Sequence, residues 1–506
     1  MKHSQSATLV AHHAFNVSVE ASFTKGLPNF TIVGLASSAI QESKERVKSA
    51  LHFINFSFPP LRITLNLSPS DLQKDGTHFD LPIALMIALQ KSSVDLSGWA
   101  IFGELGLDGS IKSTDGMFAL ILSYAMQNPN ARILVPLSIA PSLAVIPRIT
   151  IFGASNLQEA IDFLEERISI APTPPSKLMA KVHTLHGNDF YHPISTHAHE
   201  DFADVRGQNV AKRAALIAAA GNHNLLLEGN PGSGKSMIAK RIPTIMAPLS
   251  HEELLTVAKL HALEGKSARF DAVRPFRSPH HTATAASIFG GGSSKSRIGE
   301  VGLAHLGVLF FDELPHFGKP ILEALREPLE DRRINIARVN TKITYETNFM
   351  FVAAMNPCPC GNLLSTTQVC RCTQLEITRY RNRLSDPFLD RIDLYVTMQE
   401  SRPQDKSETN SQVMQEAVLR AFEVRQARGQ REPNANLNAH DVGRFCAIDA
   451  EGESLLLQAS QRYGLTARSL DKIIKVARTI ADIEKHDQIQ KSDLLEALSY
   501  RRRAST

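Results

Sequence analysis

The sequence predicts an α/β protein of two mixed domains closed by a helical tail, and three observations predict it. Over residues 1–168, strand-like runs such as RITLNLS and ARILVP alternate with stretches of helical period. A second alternation, residues 201–398, sets a glycine loop between the apolar run LLLEG and a helix. From residue 399 onward no strand pattern appears; SLLLQASQRYG, LTARSLDKIIKVARTIADIEKH and KSDLLEALSYRRR carry apolar stripes of helical spacing. A hydrophobic fraction of 43% over 506 residues fits a globular chain rather than a disordered one.

In the first domain FTIVGL, RITLNLS, WAIFGELGL, ARILVP and ITIFGA read as strands. SSAIQESKERVKSALHFI, FDLPIALMIALQ and FALILSYAMQ read as helices. Residues 169–200 are rich in Pro, Ser and His without periodicity and read as a linker. Their five irregularly spaced histidines fit a solvated segment better than a metal site. The polar stretch QESRPQDKSETNSQ begins the third region, 399–506. A formal charge of +4 is too mild to argue nucleic-acid binding alone. With no run of 18 apolar residues and no apolar signal core at the N-terminus, the chain reads as soluble and cytoplasmic, without membrane contact.

The segment GNPGSGKS comprises Gly229, Asn230, Pro231, Gly232, Ser233, Gly234, Lys235 and Ser236, and fits G-x-x-x-x-G-K-[ST]. Glycines let backbone N–H groups curl around phosphate oxygens, Lys235 reaches the β- and γ-phosphates of ATP, and the Ser236 hydroxyl ligates Mg²⁺. The strand GVLFFDEL ends in Asp312, a further Mg²⁺ holder, and Glu313, which can polarise the attacking water. The strand NFMFVAAMNP ends in Asn356, whose amide can orient that water. An isolated glycine turn and a buried strand capped by acids are the bland alternatives, and the three segments occurring together weigh against them.

This arrangement resembles the AAA+ ATPases. RPFRSPHHTATAASIFGGGSS is similar to the helix-2 insert of their magnesium-chelatase branch, and INIARVNTKITYET to its pre-sensor-1 hairpin. NRLSDPFLDRIDLYV carries Arg391, and LTARSLDKIIKVARTIA carries Arg468. With GLPNFTIVGLASSAIQESKERVKSA near the start, the chain resembles the ComM/YifB family along nearly its whole length. The resemblance implies a P-loop AAA+ module with a helical lid. It implies a homo-oligomeric ring, a hexamer, in which Arg391 completes a neighbour's ATP site and Arg468 contacts the γ-phosphate of its own subunit. The implied activity is ATP hydrolysis coupled to branch migration of single-stranded and branched DNA, in the recombination that accompanies natural transformation. Arg338 and Lys342 of the hairpin are candidate pore residues. The rival readings are a metal-chelatase motor acting on a tetrapyrrole or protein partner, and an ATP-dependent protease.

The protease reading arises because LQKDGTHFDLPIAL and FGELGLDGSIK resemble the ribosomal-protein-S5-like domain of Lon-type proteases, whose nucleophile is a serine with a lysine base. Here the serine position holds His78 and the lysine position Phe118, and a hydroxyl without a base is a weak nucleophile. A substitute triad from His78, Asp80 and Ser68 or Ser70 has nothing in the sequence to fix it.

Four of the five cysteines fall within NPCPCGNLLSTTQVCRC: Cys358, Cys360, Cys370 and Cys372. Four thiolates make a closed tetrahedral zinc site, although C-x-C is tighter than the common spacing; free or redox thiols are the alternative. Cys446 reads as a small buried hydrophobe. Arg371, between the last two cysteines, and Arg379, Arg381 and Arg383 beyond them form a basic cluster, suited equally to DNA phosphates or to a solvated helix face or subunit contact.

Overall fold

A computed structural model describes residues 2–10, 12–194, 200–291, 297–337, 342–400 and 404–502. It divides into two compact units, residues 1–178 with 258–270 and residues 179–257 with 271–506.

The first unit is built on a seven-stranded mixed sheet. In spatial order its strands are Asn29–Val33, Arg62–Ser68, His13–Thr24, Lys2–Val10, Trp99–Ile101, Arg132–Pro136 and Thr150–Ala154. The opening antiparallel pair, Lys2–Val10 with His13–Thr24, was not among the expected strands. Its signal is alternation: Val17, Val19 and Ala21 are buried, while Ser18, Glu20 and Ser22 between them are less so. The helices Ser38–Phe53, Asp80–Ala88 and Leu157–Leu164 share one core with Val17, Val19 and Leu65.

Asp80, which opens its helix, is fully buried. It accepts from Arg46 Nε at 2.6 Å and Nη2 at 3.0 Å, from the Leu105 N–H at 3.3 Å, and from the Ser43 hydroxyl. Burial pushes the Asp80 carboxyl up, and these bonds work against that. A charge taken out of water is tolerable only while paired, so Arg46→Ala is expected to lower the stability of this unit by ~3–5 kcal/mol. Chemical denaturation with the wild type alongside measures the difference.

The expected linker is not featureless. Ala180–Leu185 and Asn188–Pro193 form an antiparallel hairpin joined to Leu249–Ser250 in a three-stranded sheet. The hairpin falls in the second unit, and the division at residue 178 lies within the stretch 169–200. Of the five histidines, His197 and His199 lie outside the described residues.

The second unit holds a five-stranded all-parallel sheet in the order Phe276–Arg277, Val308–Phe311, Met350–Met355, Leu225–Glu228, Leu394–Thr397. The inner strands are wholly buried, as a parallel sheet covered on both faces requires. Arg333–Ala337 and Lys342–Glu346 pair as the expected hairpin; Arg338 lies outside the described residues. The C-terminal region is helical: Ser411–Ala427, Ala439–Phe445, Ala450–Tyr463, Ala467–Glu484 and Lys491–Ser499. Asn410, Asp449 and Thr466 each cap a helix start by accepting a backbone N–H. This helical region shares one hydrophobic core with the sheet through Ile473, Val476 and Ile480, so residues 201–398 and 399–506 fall in one unit.

Candidate functional site

The Leu225–Glu228 strand delivers the glycine loop at its C-terminal end, between the Met350–Met355 and Leu394–Thr397 strands. Open parallel sheets bind ligands at this edge. Gly234 sits at φ +92, a conformation that favours glycine, and the helix Lys235–Ile245 starts directly after it.

Lys235 lies back across the loop. Its Nζ donates to Gly229 O at 2.6 Å, Asn230 O at 2.9 Å and Asn356 Oδ1 at 3.1 Å. Burial lowers its pKa from the ordinary lysine value, with Asp312 pulling the other way. Its ammonium is thus held by two backbone carbonyls and one side-chain amide oxygen. The Ser236 hydroxyl donates to Asp312 Oδ2 at 2.7 Å, so two hard oxygen donors stand together, as Mg²⁺ requires. Ser233 Oγ and Asn230 Oδ1 are buried without a hydrogen-bond partner.

Glu313 adopts left-handed backbone (φ +52), and its N–H donates to Asp312 Oδ1 at 2.9 Å. Its exposed carboxylate lies 3.4 Å from His281 Nδ1. His281, which no motif marks in the sequence, comes from the stretch between the glycine loop and the acidic strand.

Arg391 and Arg468 converge on one carboxylate, Glu330. Arg391 Nη2 donates to Glu330 Oε2 and Arg468 Nη2 to Oε1 at 2.8 Å. Partial burial pushes the Glu330 carboxyl up, but the two guanidinium groups outweigh this and hold it below its ordinary value. Both arginines line a cavity of about 600 Å³ that contains none of the glycine-loop residues. The backbone places them. Asn224, just before the Leu225–Glu228 strand, donates to Arg391 O at 2.8 Å, and Lys472, one turn beyond Arg468, lies 3.6 Å from Asp393. Both arginines thus sit at the N-terminal edge of the sheet, opposite the glycine loop. The expectation that Arg468 contacts the γ-phosphate of its own subunit does not fit this placement.

The four clustered thiols lie together, all within 4.8 Å of one another. Cys358 Sγ is 3.5 Å from Cys360 Sγ and 3.7 Å from Cys370 Sγ; Cys360 and Cys370 are 3.6 Å apart. A zinc tetrahedron with Zn–S of about 2.3 Å has S···S edges of roughly 3.8 Å, so the set fits that ion. Backbone N–H groups of Asn362 and Arg371 lower the Cys360 thiol to about 6.

Two further residues escaped the sequence. Glu400 accepts from Asn230 Nδ2 at 3.1 Å on one side, and on the other from the Ser365 hydroxyl and from Thr366 N and Oγ1 at 3.1 and 2.6 Å. The Ser365 and Thr366 donors bring its carboxyl down to about 2. Glu228, nearly buried, takes Arg381 Nη2 at 3.3 Å and the Tyr395 hydroxyl at 2.8 Å. Arg381 is therefore tied to Glu228, although 39% of its side chain stays exposed.

In the first unit, His78 is a core residue whose Nε2 bonds Ala7 O at 2.8 Å; burial lowers it to about 4. Phe118 is buried and packs edge-on against Phe270 at 5.6 Å. Asp80 belongs to Arg46 and Ser43. Neither the serine–lysine pair nor the substitute triad is assembled at these positions.

Comparison with known proteins gives three family matches. Residues 201–406 match the model described as magnesium chelatase, subunit ChlI; residues 19–138 match subunit ChlI of Mg-chelatase; residues 408–501 match the magnesium chelatase subunit ChlI C-terminal region. The chain is 38% identical over 496 residues to the protein YifB of Salmonella typhimurium, covering 96% of this chain and 94% of that one. It is 37% identical over 497 residues to the competence protein ComM of Haemophilus influenzae, with the same coverage of 96% and 94%. A more distant likeness, 21% over 344 residues, joins 61% of the chain to 37% of the maternal DNA replication licensing factor mcm6 of Xenopus tropicalis. No helix among the described residues is long and apolar enough to cross a membrane.

Proposed function

Because the chain belongs to the ComM/YifB family of magnesium-chelatase-like AAA+ proteins, we propose that it is an ATP-driven DNA motor that works as a ring of identical subunits and promotes branch migration during recombination. The observation that carries the ATPase part is the meeting of Lys235, Ser236, Asp312 and Asn356 at one sheet edge, each bonded to another member of the set. The DNA part is supported by two relatives, one named a competence protein and one a DNA replication licensing factor.

In this reading Lys235 leaves Gly229 O, Asn230 O and Asn356 Oδ1 for the β- and γ-phosphates of ATP. Ser236 and Asp312 hold Mg²⁺, which neutralises charge on those phosphates. Glu313 polarises water for in-line attack, and Asn356 orients it. Arg391 and Arg468 serve the site of the adjacent subunit. The four cysteines hold a structural zinc ion, and their closed set leaves no position open for catalysis. The first unit, with His78 and Phe118 in the two dyad positions, acts as an assembly or DNA-contacting collar rather than as a protease.

The test is ATP hydrolysis by the full chain without DNA and with single-stranded, duplex and branched DNA. Stimulation is expected, largest with single-stranded and branched substrates, together with strand exchange on a branched junction. A rate indifferent to every DNA sinks the motor reading. The family models keep a second reading in view, an ATPase that drives metal insertion into a tetrapyrrole. ATP-dependent porphyrin metallation, with no response to DNA, favours that one.

A further inference from the structure

We propose that the thiol cluster is a zinc site that sets the phosphate loop, so that nucleotide affinity depends on the bound metal and metal retention depends on the bound nucleotide. The proposal rests on the reading that residues 229–236 hold ATP, and it adds a control on that same site.

The cluster begins two residues beyond Asn356, whose side chain meets Lys235. Cys358 and Cys360 form one end of the clip and Cys370 and Cys372 the other. The intervening Gly361–Val369 segment has no helix or strand of its own. Its path is therefore set by where its ends are tied and by what it touches. All-sulfur ligation with tetrahedral spacing selects a soft or borderline cation, zinc among the common divalent ions.

Two connections lead from this segment to the phosphate loop. Gly361, at φ +84, packs so closely on Pro231 that a Cβ would lie 2.7 Å from the ring. Glu400 is the second connection. It takes Asn230 of the loop on one side and Ser365 and Thr366 of the clipped segment on the other. Clip, Glu400 and phosphate loop thus close a ring of contacts around Pro231 and Asn230, the two positions that follow Gly229.

Release of the metal frees the segment between the cysteine pairs. Ser365 and Thr366 are then no longer held opposite Glu400, and Glu400 no longer fixes Asn230. The loop must be ordered when nucleotide arrives, and that cost appears as weaker binding. Thermodynamic linkage makes the effect mutual: nucleotide that orders the loop must retain the metal more firmly.

The full-length protein tests this directly. Elemental analysis is expected to find one zinc per chain. Stripping with a chelator under reducing conditions should weaken binding of a fluorescent ATP analogue about tenfold, as loss of a charge-assisted contact does, and added Zn²⁺ should restore it. Glu400→Gln should keep its zinc, bind the analogue about tenfold more weakly, and lose most of the response to stripping. Should stripped protein unfold, the mutual effect decides: zinc loss from native protein to a chromogenic chelator must slow when a non-hydrolysable ATP analogue is present. Protein without zinc whose four thiols all react freely overturns the site. Zinc-loaded protein whose nucleotide affinity ignores stripping and Glu400→Gln alike, or whose zinc loss ignores nucleotide, overturns the coupling and leaves the ATP site standing. Zinc-loaded protein that binds no nucleotide overturns both.

Discussion

Glu313→Gln is expected to lower steady-state ATP turnover by ~10²–10⁴-fold, the range for removing a positioned general base, while nucleotide still binds. The separation follows from what each group touches. In the proposed site phosphate binding falls to Lys235 and to the loop backbone, and metal binding to Ser236 and Asp312, whose 2.7 Å bond the substitution leaves in place. Glu313 contributes only the exposed carboxylate next to His281. An amide of the same size can occupy the left-handed turn after Asp312 but cannot draw a proton from water. The readout is a pair of measurements on one preparation: hydrolysis rate, and affinity for a fluorescent ATP analogue. A variant that hydrolyses at a wild-type rate removes Glu313 from the role of water-activating residue; one that fails to bind nucleotide shows the carboxylate to be part of the binding site.

The meeting of Lys235, Ser236, Asp312 and Asn356 at one sheet edge was legible because its information is local. Eight consecutive residues carry the loop, and apolar strands ending in Asp312, Glu313 and Asn356 announce their own sheet edge. Pairings across large sequence separation leave no such trace. Glu330 meets Arg391 and Arg468 from 61 and 138 positions away, and Glu400 meets Asn230 from 170. Nothing in the run LREPLEDRR marks Glu330 off from its acidic neighbours. The Ala180–Leu185 hairpin strand escaped for a different reason. It carries little buried apolar surface and is set by its partners, so composition read as linker. The opening pair of strands was readable in principle from the spacing of Val17, Val19 and Ala21. For Arg468 a motif gives the residue type, while the edge of the sheet it occupies depends on how the C-terminal helices pack.

That edge carries the second large effect. The strand Leu225–Glu228 rises about 3.3 Å per residue, so its two ends lie on the order of 10 Å apart before any loop is added. Arg391 stands at the far end, held by Glu330 and by Pro387 O at 2.7 Å. Arg468 shares its carboxylate. Neither guanidinium is placed to serve the glycine loop of its own chain, so the two are expected to act together on the phosphates of a neighbour. Glu330 is then their resting partner, exchanged for the more highly charged γ-phosphate when the subunits close on ATP. Arg391→Ala should lower turnover by ~10³-fold or more with nucleotide affinity little changed. Mixing gives the decisive result. Arg391→Ala subunits keep an intact Glu313, and Glu313→Gln subunits keep an intact Arg391. If the arginine crosses between subunits, combining the two inactive proteins at equal amounts restores roughly a quarter of the interfaces in a head-to-tail ring. If it acts within its own chain, verified subunit exchange restores nothing. Wild-type turnover by Arg391→Ala, from protein that stays monomeric with ATP, Mg²⁺ and DNA, would dismantle the ring itself.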